Sequence, residues 1–183
     1  MLGQGVLFAQ LKAVDAPNTA GGGVFLNSDQ WDGYQPARNR IYDVLKGGAG
    51  QAPVGNVVAP TGDIHSSWAA DLTPDPNNPS TAAGGYDPSS GEGSLEVEFV
   101  GTSVSSPGVA DPHIKYINPN QRGYMLIDAD ASRCVCEWWY IDTVASISNI
   151  ETFAVAFEVR DGSNRLAPSV QTPSRLNPPA LAP

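Results

Sequence analysis

The sequence predicts an α/β fold, organised as an α+β sandwich. The early part of the chain has the order strand, helix, strand, and the later part contains four segments in which apolar and polar residues alternate. Alternation of this kind is typical of antiparallel strands that cover a core with one face. With 183 residues, of which 41% are hydrophobic, the chain has room for one domain with a sizeable core.

The first element is the nearly continuous apolar run of residues 6–11 (VLFAQL). Such a run predicts a strand that is buried on both faces, in a sheet covered by helices. A central strand so close to the first residue has no earlier elements to cover it. We therefore expect this chain to be a fragment of a larger domain.

The next segment, residues 15–27, contains Pro17, Asn18 and three consecutive glycines, and predicts a mobile loop. It leads into residues 29–34 (DQWDGY), where two acids lie close to the large aromatic side chains of Trp31 and Tyr34. These aromatic residues either stack on a ligand at the mouth of a site or pack the loop onto the following helix. The sequence does not decide between the two roles.

A helix is predicted to begin near Pro36, which is favoured in a first turn, and to end at Gly47. Its apolar residues form one stripe that should face the core: Ala37, Ile41, Val44 and Leu45. Arg38 and Arg40 therefore cannot both face the core.

The candidate site follows a short apolar strand, residues 56–59 (NVVA). Because Pro60 cannot donate to a sheet and Gly62 tolerates unusual backbone angles, the strand should end no later than Pro60 and the chain should bend. If the segment is still extended there, Asp63 and His65 point the same way. A carboxylate and an imidazole presented together at the carboxyl end of a strand predict part of a metal site.

A long loop is predicted for residues 73–93, which are mostly Pro, Asn, Ser, Gly, Asp and Ala. Loops of this length are usually disordered or form the rim of a site. Calcium binding and substrate gating are the two functions that its acidic residues suggest. Those acids, including one just before the loop, are Asp71, Asp75, Asp87 and Glu92.

Four strands are predicted in the later part of the chain, and their succession indicates an antiparallel sheet. Trp138 and Trp139 place one indole on each face of their strand, which predicts cover on both sides of the sheet. Beyond Arg160 the Pro-rich, polar composition predicts an irregular tail, and we assign residues 167–183 to it. The predicted strands are residues 95–99, 124–128, 133–144 and 153–159.

The two cysteines, Cys134 and Cys136, lie on the same face of a predicted strand, so a disulfide between them would be strained. Two reduced, half-buried thiols are the simpler interpretation. A Cys-x-Cys metal site is the alternative, although no second cysteine pair is present to complete a four-thiolate zinc site.

The net charge of −9, with ten Lys and Arg residues, argues against nucleic-acid binding through a basic surface. No apolar run approaches the roughly 18 to 20 residues of a membrane span. Met1 is not followed by the charged, apolar and small-residue pattern of an export signal.

Five sequence blocks occur together and in order between residues 4 and 166. By these blocks the chain resembles the carboxyl-terminal half of PhoD-like alkaline phosphatases, which belong to the metallophosphoesterase group. We expect residues 1–166 to form part of that domain. The blocks are residues 29–34 with Arg38, residues 61–68 (TGDIHSSW), residues 96–103 (EVEFVGTS), residues 112–116 (PHIKY), and residues 122–124 (RGY) with 138–140 (WWY).

The resemblance implies hydrolysis of phosphate monoesters and some diesters at a binuclear iron(III) and calcium site, in a metallophosphatase-like fold with αββα layers. It implies that His65 is a ligand of the iron and Asp63 a ligand of the calcium. The other ligands of the family lie upstream of this sequence, so we expect the isolated chain to be inactive without the missing amino-terminal half. It also implies an extracellular or periplasmic location.

Four residues are candidates for substrate binding: Trp31, Tyr34, Arg38 and His113. Arg38 is either a bidentate phosphate clamp or an exposed helix arginine. His113 has either a site role or a capping or surface role in its loop. The two serines after the turn do not indicate a serine hydrolase, because adjacency in sequence does not orient a catalytic base.

A second hypothesis is a secreted, non-catalytic, β-rich module that binds calcium through its acidic loops and stacks a ligand on Trp31 and Tyr34. It predicts stabilisation by calcium without uptake of iron. Elemental analysis of the purified protein separates the two hypotheses.

Overall fold

The computed structural model describes residues 1–18, 22–48, 50–102 and 111–173. These residues form ten strands and one α-helix, with short 3₁₀ turns at Trp31–Tyr34 and Thr81–Ala83. The helix is α1 (Gln35–Lys46), and the strands are β1 (Lys12–Val14), β2 (Val24–Phe25), β3 (Val58–Thr61), β4 (Ser67–Leu72), β5 (Glu96–Val100), β6 (Ile114–Asn118), β7 (Gly123–Ala129), β8 (Arg133–Ile141), β9 (Glu151–Arg160) and β10 (Leu166–Ser169).

Two four-stranded sheets pack face to face. The first has the order β3-β5-β4-β6, with β3 parallel to β5 and the other pairs antiparallel. The second is antiparallel throughout, with the order β10-β9-β8-β7. Val97 and Phe99 of the first sheet pack against Trp138 and Phe157 of the second, and these side chains form the core between the sheets.

The other face of the first sheet is covered by α1 and by the buried segment of residues 7–11. The layers are therefore helix, mixed sheet and antiparallel sheet. In the described ranges no α-helix other than α1 is present, so the fourth layer of the expected αββα order is not confirmed. The regular structure of the described residues is mostly β-strand with one α-helix, and the predicted antiparallel carboxyl-terminal part is present.

The strand predicted for residues 6–11 is wrong, although its predicted burial is correct. Leu7, Phe8 and Leu11 are at most 1% exposed, but the segment joins no sheet. Its N–H groups instead donate to carboxylates: Phe8 and Ala9 each to Glu98 at 2.8 Å, and Leu11 to Asp32 at 2.9 Å. An apolar run indicates burial, whereas these acceptors from distant residues decide the conformation.

Helix α1 confirms the predicted helix, but its buried face differs from the predicted stripe. Arg38, Tyr42 and Leu45 are buried, and Val44 is 52% exposed. Arg38 can lie in the core because it forms an ion pair with Asp32 there. Apolar periodicity alone would have assigned that buried position to neighbouring apolar residues.

Several strand predictions also need correction. Strand β5 belongs to the mixed sheet rather than to the late antiparallel sheet. Strands β4 and β6 were not predicted, and β10 lies where an irregular tail was expected, because it adds to the free edge of β9. The expected mobile loop of residues 15–27 includes β2, which pairs with β1, while residues 19–21 lie outside the described residues.

The predicted loop of residues 73–93 is irregular apart from one 3₁₀ turn, but it packs closely onto the sheet. Tyr86 is 1% exposed, and its hydroxyl donates to the buried carboxylate of Asp71 at 2.6 Å. Cys134 and Cys136 are both free, as expected, but they are buried rather than half-buried, and burial raises the pKa of each.

Candidate metal and substrate site

The turn between β3 and β4 carries the two expected metal ligands. Strand β3 continues to Thr61, one residue beyond the predicted end. The positive backbone angles belong to the ligands themselves, with φ of 72° at Asp63 and 63° at His65, rather than to Gly62. The expectation of an extended segment is therefore wrong. Asp and His tolerate this region better than most residues, and such angles tend to occur at ligand-binding sites.

The turn is anchored to the core by two of its side chains and exposes the two candidate ligands to solvent. Ile64 packs against the core cluster beneath α1, whereas its neighbours Asp63 and His65 are exposed. Ser66 is buried, and its hydroxyl accepts a hydrogen bond from the Trp68 indole at 2.6 Å. The serine therefore has a structural role, and both candidate ligands face solvent on either side of an inward isoleucine.

The exposed pair offers one hard oxygen donor and one imidazole nitrogen, a donor set that suits iron and calcium. Within the described residues, neither side chain has a hydrogen bond or ion pair. Those residues contain no group of three or more His, Cys, Asp or Glu side chains that could hold a metal ion. The turn thus provides two candidate ligands but not a complete coordination shell.

Gln4 connects Trp31 to the turn. The Gln4 carbonyl accepts a hydrogen bond from the Gly62 N–H at 3.4 Å, and its side chain accepts one from the Trp31 indole at 3.0 Å. The indole also contacts the Phe8 ring, at 4.9 Å between centroids. Trp31 therefore packs the loop against Gln4 and Phe8 rather than onto the following helix, while Tyr34 is 60% exposed, and the role of both in binding a ligand stays a prediction.

Arg38 is buried, so the alternative of an exposed helix arginine is wrong. It is 3% exposed, and its Nη1 donates to Asp32 at 2.8 Å and to the Phe8 carbonyl at 3.2 Å. Burial raises the pKa of Asp32, and the arginine opposes that shift. The pair holds α1 against the segment of residues 7–11, and a direct role in binding phosphate stays a prediction.

His113 does not lie on the surface, contrary to the capping or surface alternative. It is 1% exposed, and burial, reinforced by the charge of Arg38, lowers its pKa to about 3. The ring is therefore neutral at physiological pH. Its expected contact with substrate stays a prediction, although so buried a ring has little surface to offer a ligand.

Two buried acids of β5 were not selected by the sequence analysis, which used this stretch only as an alternating strand. Glu98 accepts hydrogen bonds from residues 8 and 9 and from the Thr61 hydroxyl at 2.6 Å, and burial raises its pKa to about 7. Glu96 is fully buried with neither carboxyl oxygen partnered in the described residues. Through its hydrogen bonds with Thr61 and with residues 8 and 9, Glu98 connects the end of β3 to the buried segment. The turn that follows β3 is held in place by the same contacts.

Arg122 is a further residue that sequence reasoning did not select. Strand register pairs Ser67 with Asn118, and Thr102 donates to the carbonyl of Gln121 at 2.8 Å, so Arg122 lies at the turn end of the sandwich. It lines a cleft of about 390 Å³ with the loop that follows β8. In the described part of the chain no acid forms an ion pair with it. The RGY block was its only sequence signal.

Comparisons with known proteins agree with the resemblance. The family model of the PhoD-like phosphatases matches residues 1–138. Alkaline phosphatase D of Bacillus subtilis (strain 168) is 34% identical over 110 residues, which cover 53% of this chain and 16% of that protein. A solved structure of PhoD superposes with a TM-score of 0.70 at 24% identity, covering 94% of this chain and 31% of that chain. The chain thus spans less than a third of either relative, and the structural likeness shows the fold alone. Within the described residues, no helix is long and apolar enough to cross a membrane.

Proposed function

Because this chain belongs to the PhoD-like phosphatase family, we propose that it supplies part of a metal-dependent site that hydrolyses phosphate monoesters and diesters. The observation that carries the proposal is the turn of residues 62–66. There Asp63 and His65 take backbone angles that most residues avoid, and both side chains face solvent. Such angles persist only where surrounding structure maintains them, and here Ile64 and Ser66 anchor the turn.

Within this proposal, Asp63 contributes an oxygen ligand to calcium and His65 contributes a nitrogen ligand to iron(III). The remaining ligands belong to the amino-terminal half of such a phosphatase, which is the proposed partner of this chain. When bound, the two cations supply positive charge to the phosphoryl group and activate water for attack. Trp31 and Tyr34 orient the substrate directly, whereas Arg38 and His113, at 3% and 1% exposed, act only through the residues packed around them. The proposed location is extracellular or periplasmic.

The proposed ligands are tested in a phosphatase that joins this chain to the amino-terminal half of a PhoD-like phosphatase. Asp63→Ala and His65→Ala should each lower kcat on p-nitrophenyl phosphate by at least about 100-fold, because even outer-shell changes at metal sites cost 10–100-fold. Circular dichroism should show an unchanged fold, since the exposed turn residues contribute little packing. Asp43→Ala, which removes an exposed carboxylate from α1, is the matched control. Unchanged kinetics in both turn variants would contradict the assignment.

The chain alone should show only background turnover of p-nitrophenyl phosphate with iron and calcium present, because two ligands do not hold a binuclear centre. Robust turnover that His65→Ala abolishes would refute the partial-site proposal. The alternative is a calcium-binding module that uses the loop acids. Of these acids, Asp75 accepts the Asn18 N–H with one oxygen, and Asp87 accepts hydrogen bonds from Ser89 and Ser90. Calcium without iron, found by elemental analysis of the joined phosphatase, would favour that alternative.

A further inference from the structure

We propose that the surface pocket beside Trp31 and Tyr34 binds the apolar alcohol portion of the phosphoester, preferably an aromatic one. This inference rests on the proposed function, since it assigns the pocket to the same substrate. It adds a specificity site to a turn that by itself offers only donors for a metal ion.

The pocket has the size and lining of a small-molecule site. Its volume is about 310 Å³, and it is lined by Gln4, Gly5, Val6, Trp31, Tyr34 and Ala37. Small-molecule sites begin at roughly 300 Å³ and are mostly apolar, with aromatic walls. No charged side chain lines the pocket, so it suits a neutral group and not the phosphoryl group itself.

The aromatic walls are held in different ways. The Trp31 indole is fixed, because its N–H donates to Gln4 and its ring contacts Phe8. With that N–H already partnered, the indole presents mainly its ring surface to a ligand. Tyr34 directly precedes α1 in the chain and is 60% exposed. The two rings come from the same 3₁₀ turn and both line the pocket, so a flat apolar group bound there gains aromatic contacts.

The pocket adjoins the turn through one residue. Gln4 lines the pocket with its side chain, and its backbone pairs with Thr61 and accepts the Gly62 N–H. Asp63 follows Gly62 directly. Gln4 therefore links the pocket to the turn, and the proposal places the alcohol portion of the ester in the pocket when its phosphoryl group lies at the turn.

The four indole N–H groups of the chain provide the test, because each has a different partner. Trp31 donates to Gln4, Trp68 to Ser66 beside the turn, Trp138 to the Val100 carbonyl and Trp139 to Glu137. Titration of the isotope-labelled chain with 1-naphthol should shift the Trp31 indole signal and leave those of Trp138 and Trp139 in place. Inorganic phosphate should not shift Trp31. No shift at Trp31 with 1-naphthol, or an equal shift with phosphate, overturns the proposal.

Two variants locate the binding. Tyr34→Ala should weaken 1-naphthol binding about fivefold, the effect of losing one aromatic contact. Ala37→Leu places extra bulk in the pocket and should abolish the Trp31 shift. The controls are Tyr124→Ala, an exposed tyrosine of β7, and Val44→Leu, on the exposed side of α1. Unchanged affinity in both pocket variants, or equal losses in the controls, overturns the proposal.

The test separates this inference from the proposed function. His65→Ala should leave 1-naphthol affinity unchanged, since the pocket does not use the imidazole. If the turn variants lower phosphatase activity as expected but 1-naphthol does not bind at Trp31, the pocket assignment alone fails. If 1-naphthol binds at Trp31 while the turn variants keep full activity, the phosphatase site has been misplaced, and the pocket loses its role as the leaving-group site.

Discussion

Asp63 and His65 show how single residues create a site, because their backbone angles turn two polar side chains outward around Ile64. A side chain with a Cβ pays for such an angle with strain of about 1 kcal/mol or more, which glycine avoids.

Glycine substitution therefore tests this backbone directly. Asp63→Gly should be more stable than Asp63→Ala by about 1 kcal/mol, because glycine relieves the left-handed conformation. The comparison is made by urea unfolding of both variants. At Asp43, in the interior of α1, the order should reverse, since glycine in a helix is about 1 kcal/mol less favourable than alanine. The same order at both positions would contradict the turn geometry.

Glu96 predicts an unusual dependence of stability on pH. Burial and the charge of Glu98 raise its pKa to about 8 in the folded chain, from an ordinary value of 4.5. The folded state therefore holds a proton that the unfolded state releases. Its contribution to stability is present below about pH 4.5 and is lost as the pH rises to about 8. Glu98, whose pKa is also raised, acts in the same direction.

Glu96→Gln should accordingly raise the free energy of unfolding at pH 8 by at least about 1 kcal/mol and flatten its pH profile. The isosteric amide carries no proton to lose. Denaturant unfolding from pH 5 to pH 9 provides the measurement, and Glu92→Gln, an exposed acid in the preceding loop, is the control. A profile as steep as that of the parent chain would rule out Glu96 as the source.

Among the elements, the segment of residues 7–11 stands out because carboxylate side chains accept the N–H groups that a neighbouring strand would accept in a sheet. Glu98 accepts two of its N–H groups and Asp32 a third, while Arg38 donates to its Phe8 carbonyl. A buried N–H group without an acceptor costs about 1–3 kcal/mol, so each of these carboxylates determines where the segment lies.

Glu98→Ala should expose this dependence locally. Amide hydrogen exchange at Phe8 and Ala9 should become faster by on the order of 100-fold, because both lose their acceptor. The amide of Leu11, which donates to Asp32, should stay comparatively protected and serves as an internal reference. Equal acceleration at all three amides would show general destabilisation instead of a local tether.

At the scale of the whole molecule, the packing of the two sheets is centred on the indole of Trp138, which lies between them. Trp138 is fully buried, contacts the rings of Phe99 and Phe157, and donates to the Val100 carbonyl of the opposite sheet. Trp139 faces the other way and contacts the Phe153 ring edge-on, at 5.6 Å between centroids. The predicted placement of one indole on each face is therefore confirmed.

Trp138→Ala should lower the free energy of unfolding by about 3–5 kcal/mol, the range for deleting a large core aromatic side chain. Trp139→Ala, on the half-buried outer face, should cost clearly less. Thermal or urea unfolding of the two variants makes the comparison. Equal losses would mean that the outer face of the second sheet is as closely packed as the interface.

The sequence by itself determined the class of the protein: one helix after Pro36, the late antiparallel strands, the buried run at residues 6–11, and the family blocks that include Asp63 and His65. These features depend on local periodicity and on residue types that are adjacent in the chain. Only the tertiary structure decided that Arg38, Glu96, Glu98 and His113 are buried and that the run at residues 6–11 is not a strand. The physical reason is that their environment is set by residues distant in sequence, such as Glu98 about 90 positions from Phe8. The same holds for the pocket, since Gln4, Trp31 and the turn meet only through folding.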